Sequence, residues 1–170
     1  MSYAINQDGT ITRSDGCIIH PDKSNIDYLN YLDWVAAGNT ATPYEPSLAE
    51  AQSKQIEINS AACSDAITSG FQSSALGSAH TYPSKVTDQQ NLTASVVASL
   101  VPGNPSNWST PFWCQDENGA WSYVNHSEAQ IQQVGQDGKA AILVALSKNA
   151  TLQAQVMAAT SVSAVQAITW

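Results

Sequence analysis

The sequence is poor in basic residues. Six Lys and Arg stand against 14 Asp and Glu in 170 residues, a formal charge of −8, and the six are scattered from Arg13 to Lys148 without a cluster. A chain with no basic patch offers no footprint to a phosphate backbone or an anionic membrane surface, so nucleic acid and membrane are poor partners. Long apolar runs are also missing. The longest, Ala140 to Leu146, is far short of the roughly 20 residues that a membrane helix needs. The first residues, Met1 to Asp8, hold neither a basic region nor an apolar stretch, so no signal peptide is expected. Cysteine is scarce: Cys17, Cys63 and Cys114 are odd in number and widely spaced, which makes no disulfide framework and suits a reducing cytoplasm. A glycine-rich phosphate loop and a serine nucleophile elbow are absent as well.

Charge of either sign is sparse, at 12% of residues, while 43% are hydrophobic; much of the remainder is Ser, Thr, Asn and Gln. The length allows one domain, or a small domain with an appendage, and a real core.

The first twenty residues read as a meander. Tyr3-Ala4-Ile5, Ile11-Thr12-Arg13 and Cys17 to His20 are separated by Asp8-Gly9 and Asp15-Gly16, and Asp-Gly between short apolar runs is a strong hairpin signal. Hydroxyl residues three positions before a carboxylate or amide mark four helix starts: Ser24 with Asp27, Ser47 with Glu50, Thr87 with Gln90 and Ser127 with Gln130. Helical periodicity follows over about 25–37, with Tyr28, Tyr31, Leu32 and Val35 on one stripe, then over about 48–69 and 88–101. Residues 40–46 hold two prolines and read as a linker. Phe71 to Tyr82 is β-like, broken at Gly77, and residues 101–111 form a loop by composition. Phe112-Trp113-Cys114 and Trp121-Ser122-Tyr123 flank Asn118-Gly119, the best hairpin signal in the chain. The last third is helical, and the apolar run at 140–146 predicts a helix buried on most of its surface.

No reactive constellation emerges. Three Cys and three His are too few and too dispersed for a structural metal site. Cys114 with His126 and Asp116 could be drawn as nucleophile, base and orienter, but a strand cysteine in the core and a histidine beside a helix cap explain the same residues. Asp116-Glu117-Asn118-Gly119 reads as a turn, because a calcium loop needs further oxygens at alternate positions. Trp113, Trp121 and Trp170 are expected in the core, whereas Tyr28, Tyr31 and Trp34 fit a core or a partner interface equally well.

The stretch Asp27-Tyr28-Leu29-Asn30-Tyr31-Leu32-Asp33-Trp34-Val35-Ala36-Ala37-Gly38-Asn39-Thr40, reaching Pro43 and Pro46, resembles a segment common in tail fibre and tail fibre assembly proteins of tailed bacteriophages. There too a short β-segment with an Asp-Gly turn precedes it. The usual form follows Gly-Asn-Thr directly with Pro, whereas here Ala41-Thr42 intervenes. The remainder, about Ser47 to Trp170, is similar to an uncharacterised domain found at the ends of phage tail fibre proteins and as a separate small phage protein. That likeness rests on Gly70-Phe71, Ala75-Leu76-Gly77, Tyr82, Asp88-Gln89 with Asn91-Leu92, Phe112 and Cys114 with Trp121, His126, Val134, Ala158-Ala159-Thr160, and Ile168 with Trp170.

The expected fold is therefore α+β. A short β-meander, a helix and a linker form an attachment segment over 1–46, and a mainly helical domain with two small β-hairpins follows over 47–170. The resemblance implies a non-enzymatic structural protein of the virion tail, at the tail fibre, tail tip or baseplate, with a part in host adsorption. It would be made in the host bacterial cytoplasm, bind a tail fibre or another tail protein, and be present as a homotrimer or in several copies around the tail. The alternative is a tail fibre assembly chaperone acting on the fibre trimer. No catalytic residue, cofactor or metal is expected. The residues expected to contact a partner are Tyr3, Ile5, Ile11, Tyr28, Tyr31 and Trp34.

Overall fold

The computed structural model describes residues 1–170, which form two compact units, Met1–Ala51 and Gln52–Trp170. The N-terminal unit opens with three short antiparallel strands, β1 (Tyr3–Ile5), β2 (Ile11–Arg13) and β3 (Ile18–Ile19), paired in the order β1-β2-β3. At the first turn the Asp8 carboxylate accepts from the backbone N–H of Thr10 at 2.9 Å and from its hydroxyl at 2.6 Å, and Gly9 takes a φ of +80° that suits glycine. Helix α1 (Ile26–Ala36) follows. Its N-cap is Asn25, one residue after the expected Ser24; the Asn25 side chain accepts from the backbone N–H of Asp27. Tyr3, Ile11, Ile19 and Ala41 are buried, with Tyr28, Tyr31 and Trp34 packed against them. The Arg13 guanidinium joins the meander to α1, reaching Asp15 at 3.0 Å and Asp27 at 2.6 Å. The stretch expected to be a linker is bound in part to the meander: Thr42 donates its N–H to the Tyr3 carbonyl and accepts from Ile5, both at 2.9 Å.

Helix α2 (Leu48–Thr68) begins with the expected reciprocal box, Glu50 accepting from the backbone N–H of Ser47 at 2.8 Å and Ser47 from that of Glu50 at 3.3 Å. Then come β4 (Phe71–Ser73), β5 (His80–Tyr82), α3 (Val86–Ser99), β6 (Ser109–Gln115), β7 (Trp121–Ser127), α4 (Glu128–Ala158) and α5 (Val162–Gln166). The Ser127–Gln130 box opens α4 as expected. Helix α3 is capped instead at Lys85, two residues before the expected Thr87, with the Asp88 carboxylate accepting from the Lys85 N–H at 3.0 Å.

The expectation of a mainly helical domain with two small hairpins is overturned. The strands β4–β5 and β6–β7 are joined through pairing of Thr81 with Gln115 into one four-stranded antiparallel sheet in the order β4-β5-β6-β7, so the chain has five helices and two antiparallel sheets. An isolated two-stranded hairpin is marginal in water, and merging the two gives a sheet with a face to bury. The β6–β7 pair is also longer than expected, seven residues in each strand, with Pro111 opposite Asn125. Proline normally demotes a strand because it cannot donate to the ladder, and this concealed the first half of β6.

The inner face of this sheet packs Tyr82, Phe112 and Cys114 with Phe71, Leu92, Ile131 and Val134. Gly138 of α4 lets the Phe71 ring approach; a Cβ there would stand 2.8 Å from the ring. Polar side chains fasten α2 to the end of the chain: Gln55 and Asn59 both donate to the Ile168 carbonyl at 3.0 Å. The apolar run of α4 departs from expectation. Of residues 140–146 only Ala145 is buried, and Leu143, Val144 and Leu146 are exposed. No helix is long and apolar enough to cross a membrane.

Candidate functional site

The long β6–β7 ladder sorts its side chains by strand alternation. Phe112, Cys114 and His126 face the core, so their neighbours Trp113, Trp121 and Tyr123 must face out. The register sets Trp113 opposite Tyr123 and Gln115 opposite Trp121. Trp113 stacks on Trp121 with ring centroids 6.2 Å apart and planes 15° from parallel, and Tyr123 leans on Trp113 at 4.9 Å. Exposures of 39%, 40% and 71% for Trp113, Trp121 and Tyr123 correct the expectation that the two tryptophans are core residues. The signal was present in the period-2 alternation of Phe112-Trp113-Cys114, which cannot bury all three side chains of a strand covered on one face.

Beside this platform a groove of about 490 Å³ runs along α3, lined by Asp88, Asn91, Ser95, Pro111, Trp113 and Tyr123. It offers open aromatic faces on one wall and a carboxylate, an amide and a hydroxyl on the other. Such groups are suited to stacking and hydrogen bonding; none is arranged as a nucleophile beside a base.

The nearest approach to reactive chemistry lies under the sheet. Cys114 is 1% exposed, and burial pushes its thiol pKa up. His126 is fully buried. Its Nδ1 lies 2.8 Å from the Val124 carbonyl, which can only accept, so Nδ1 carries the proton and Nε2 accepts from the Tyr82 hydroxyl at 2.8 Å. Burial holds the imidazole below its ordinary value and raises the Tyr82 phenol. Both ring nitrogens are thus engaged and neither faces the thiol. Asp116, the third residue of the imagined triad, holds the hairpin turn instead, accepting from the N–H groups of Asn118 at 2.9 Å and Ala120 at 2.8 Å; those bonds lower its pKa. No group of three or more His, Cys, Asp and Glu side chains is gathered anywhere in the fold.

In the N-terminal unit, the six residues expected to contact a partner divide. Tyr3 and Ile11 are 3% and 4% exposed, so they lie in the core of their own unit and are closed to a partner. The reason is the packing of the meander on α1: Tyr3 meets Tyr31 at 5.2 Å and Trp34 at 4.9 Å. Tyr28, Tyr31 and Trp34 form one half-buried aromatic row, and Ile5 is exposed. Sequence reasoning missed the opposite side of α1. Ile26 and Leu29, one turn apart, are 67% and 39% exposed, and α1 has no fully buried residue. Their i, i+3 spacing was the available signal.

A family model described as "Domain of unknown function (DUF4376)" matches residues 49–169. No curated protein and no solved structure matches the chain.

Proposed function

The chain belongs to that domain family, and we propose that it is a non-enzymatic structural protein of a bacteriophage tail, docked on a tail fibre or another tail protein through its N-terminal unit. The tail context comes from the resemblance of Asp27–Thr40 and of the following domain to tail fibre sequences. The observation that carries the docking is α1, which packs its aromatic row inward, buries no residue completely and leaves Ile26 and Leu29 in water. An 11-residue helix is marginal on its own propensity and gains stability from cover on its apolar sides. The C-terminal unit then displays the Trp113–Trp121–Tyr123 platform, a surface suited to a contact in host adsorption.

Mass spectrometry of purified virions tests the reading. The protein is expected in particles, in a fixed ratio to the fibre. Its absence from particles that carry their fibres overturns the structural role and favours a chaperone that leaves after assembly. Co-expression of Ile26→Asp/Leu29→Asp with the fibre is expected to abolish co-purification while leaving the circular dichroism spectrum intact.

A further inference from the structure

The four-stranded sheet ends in two unlike edges. At one, β4 is three residues long, and so short an edge gives a foreign strand little to pair with. At the other, β7 is seven residues long, and Trp121-Ser122-Tyr123-Val124-Asn125-His126-Ser127 holds no Lys, Arg, Asp, Glu, Pro or Gly. Its pairing with β6 runs residue for residue over all seven positions, without a bulge. Shortness, charge, proline and bulges are the devices that blunt a sheet edge. The β7 edge has none of them.

The ladder fixes which backbone groups β7 turns outward. The Asp116 N–H donates to the Ala120 carbonyl at 3.0 Å, and antiparallel pairs alternate between bonded and non-bonded. Cys114–Ser122, Phe112–Val124 and Thr110–His126 are therefore bonded pairs, and Trp121, Tyr123 and Asn125 point their N–H and C=O groups away from β6. Pro111 agrees: it faces Asn125 in a non-bonded pair, where its missing N–H breaks no rung between β6 and β7. No turn, loop or side chain of the fold bonds these N–H and C=O groups, whereas the outward N–H of Ser127 is taken by the Gln130 side chain at 2.9 Å. Trp121, Tyr123 and Asn125 are all exposed, and the open row from the first to the last spans about 14 Å. Donors and acceptors alternating at strand spacing are complementary to the backbone of another strand.

Charge narrows the occupant. The open row is bracketed by Glu117 in the hairpin turn and Glu128 at the start of α4, both exposed and neither in an ion pair. A second copy of this chain fits poorly. Antiparallel pairing of β7 with β7 about Tyr123 would bring each Glu117 toward the other copy's Glu128, and like charges across a ladder destabilise it. Lys or Arg at those places reverses the sign. A cation on the added strand also meets the exposed rings of Trp121 and Tyr123, which favour it over their faces. We propose that β7 takes up an extended basic segment of a partner protein as the fifth strand of this sheet. The surface belongs to the C-terminal unit, so the proposal stands apart from the docking assigned to Ile26 and Leu29.

Amide hydrogen exchange of the full chain, read by nuclear magnetic resonance, is the test. In the free protein the amides of Trp121, Tyr123 and Asn125 are expected to exchange at least about tenfold faster than those of Ser122, Val124 and His126. The probe is a capped peptide of alternating Thr and Val with Lys at both ends. It is expected to bind and to slow exchange at Trp121, Tyr123 and Asn125, while the same peptide ending in Glu binds at least about tenfold more weakly. Tyr123→Pro removes an outward N–H and no ladder bond, and is expected to abolish peptide binding. Tyr123→Val keeps that N–H and is expected to retain binding within about threefold. Ile26→Asp/Leu29→Asp is expected to leave peptide binding unchanged, so a failure of the α1 docking is told apart from a failure here. Equal exchange at all six amides of free wild type overturns the proposal, and that measurement needs no variant to fold. So does a Lys-ended peptide that binds no better than the Glu-ended one, or that protects only other amides. Protection of the same three amides by self-association of the chain, without peptide, overturns it as well.

Discussion

The hydroxyl of Tyr82 donates to Nε2 of His126 across 2.8 Å, joining β5 to β7 beneath a strand, β6, that lies between them. Both side chains are fully buried, so the bond has no competition from water. Tyr82→Phe keeps the ring that stacks between Phe71 and Phe112 but leaves Nε2 without a partner. An orphaned buried acceptor costs about 1–3 kcal/mol. Urea unfolding is expected to show that loss in the midpoint with an unchanged slope, and a variant as stable as wild type refutes the pairing.

The same histidine sets a pH dependence. Burial holds His126 below the ordinary imidazole value of 6.5, with the Val124 hydrogen bond opposing. As pH falls through about 6.5 the unfolded chain therefore takes up this proton while the folded one does not, and folding becomes less favourable. Stability from this group is complete above about pH 6.5 and is lost below it, at up to about 1.4 kcal/mol per pH unit. The depressed carboxylates, Asp116 among them, add a second loss only near and below about pH 4. Thermal midpoints at pH 7.5, 6.5 and 5.5 are expected to fall in that order, and His126→Gln is expected to flatten the series.

Local chemistry made much of the fold readable in the sequence. The Asp-Gly turns placed the meander, and the Ser47–Glu50 and Ser127–Gln130 boxes placed α2 and α4, because each is complete within a few residues. What escaped depended on partners distant in sequence. Nothing near Thr81 or Gln115 announces that they pair, so one sheet was read as two hairpins. Pro111 argued locally against the strand that the ladder tolerates. The aromatic platform was misassigned because a tryptophan's apolar character outweighed its position one residue from Cys114. Tyr3 and Ile11 looked available to a partner only until α1 covered them.

Two glycines of α4 separate a packing effect from a helix effect. A Cβ at Gly138 would stand 2.8, 3.1 and 3.3 Å from three atoms of the Phe71 ring, itself stacked on Tyr82 at 5.6 Å. At Gly135 the clash is with a single methyl of the half-buried Val96. Alanine improves helix propensity by about 1 kcal/mol at either site, but overpacking a rigid core costs about 1–3 kcal/mol. Gly138→Ala is expected to destabilise by about 1–2 kcal/mol and Gly135→Ala to be near neutral, as read from urea midpoints. Equal effects rule out the close packing of Phe71 on α4.

A chain reduced to Ser47–Trp170 tests the division into two units. The cut keeps Ser47 and Glu50, so α2 retains both halves of its N-terminal box, and it leaves intact the core of Phe71, Tyr82, Leu92, Phe112, Cys114, Ile131 and Val134. The removed segment has its own small core of Tyr3, Ile11, Ile19 and Ala41. The shortened chain is expected to unfold in one cooperative transition within about 1 kcal/mol of the full-length C-terminal transition, since truncations are tolerated where little buried backbone is lost. It is also expected to lose binding to the proposed tail partner, because Ile26 and Leu29 leave with the segment. A broad, non-cooperative transition means that residues 1–46 belong to the core of the larger unit, and retained binding moves the docking surface off α1.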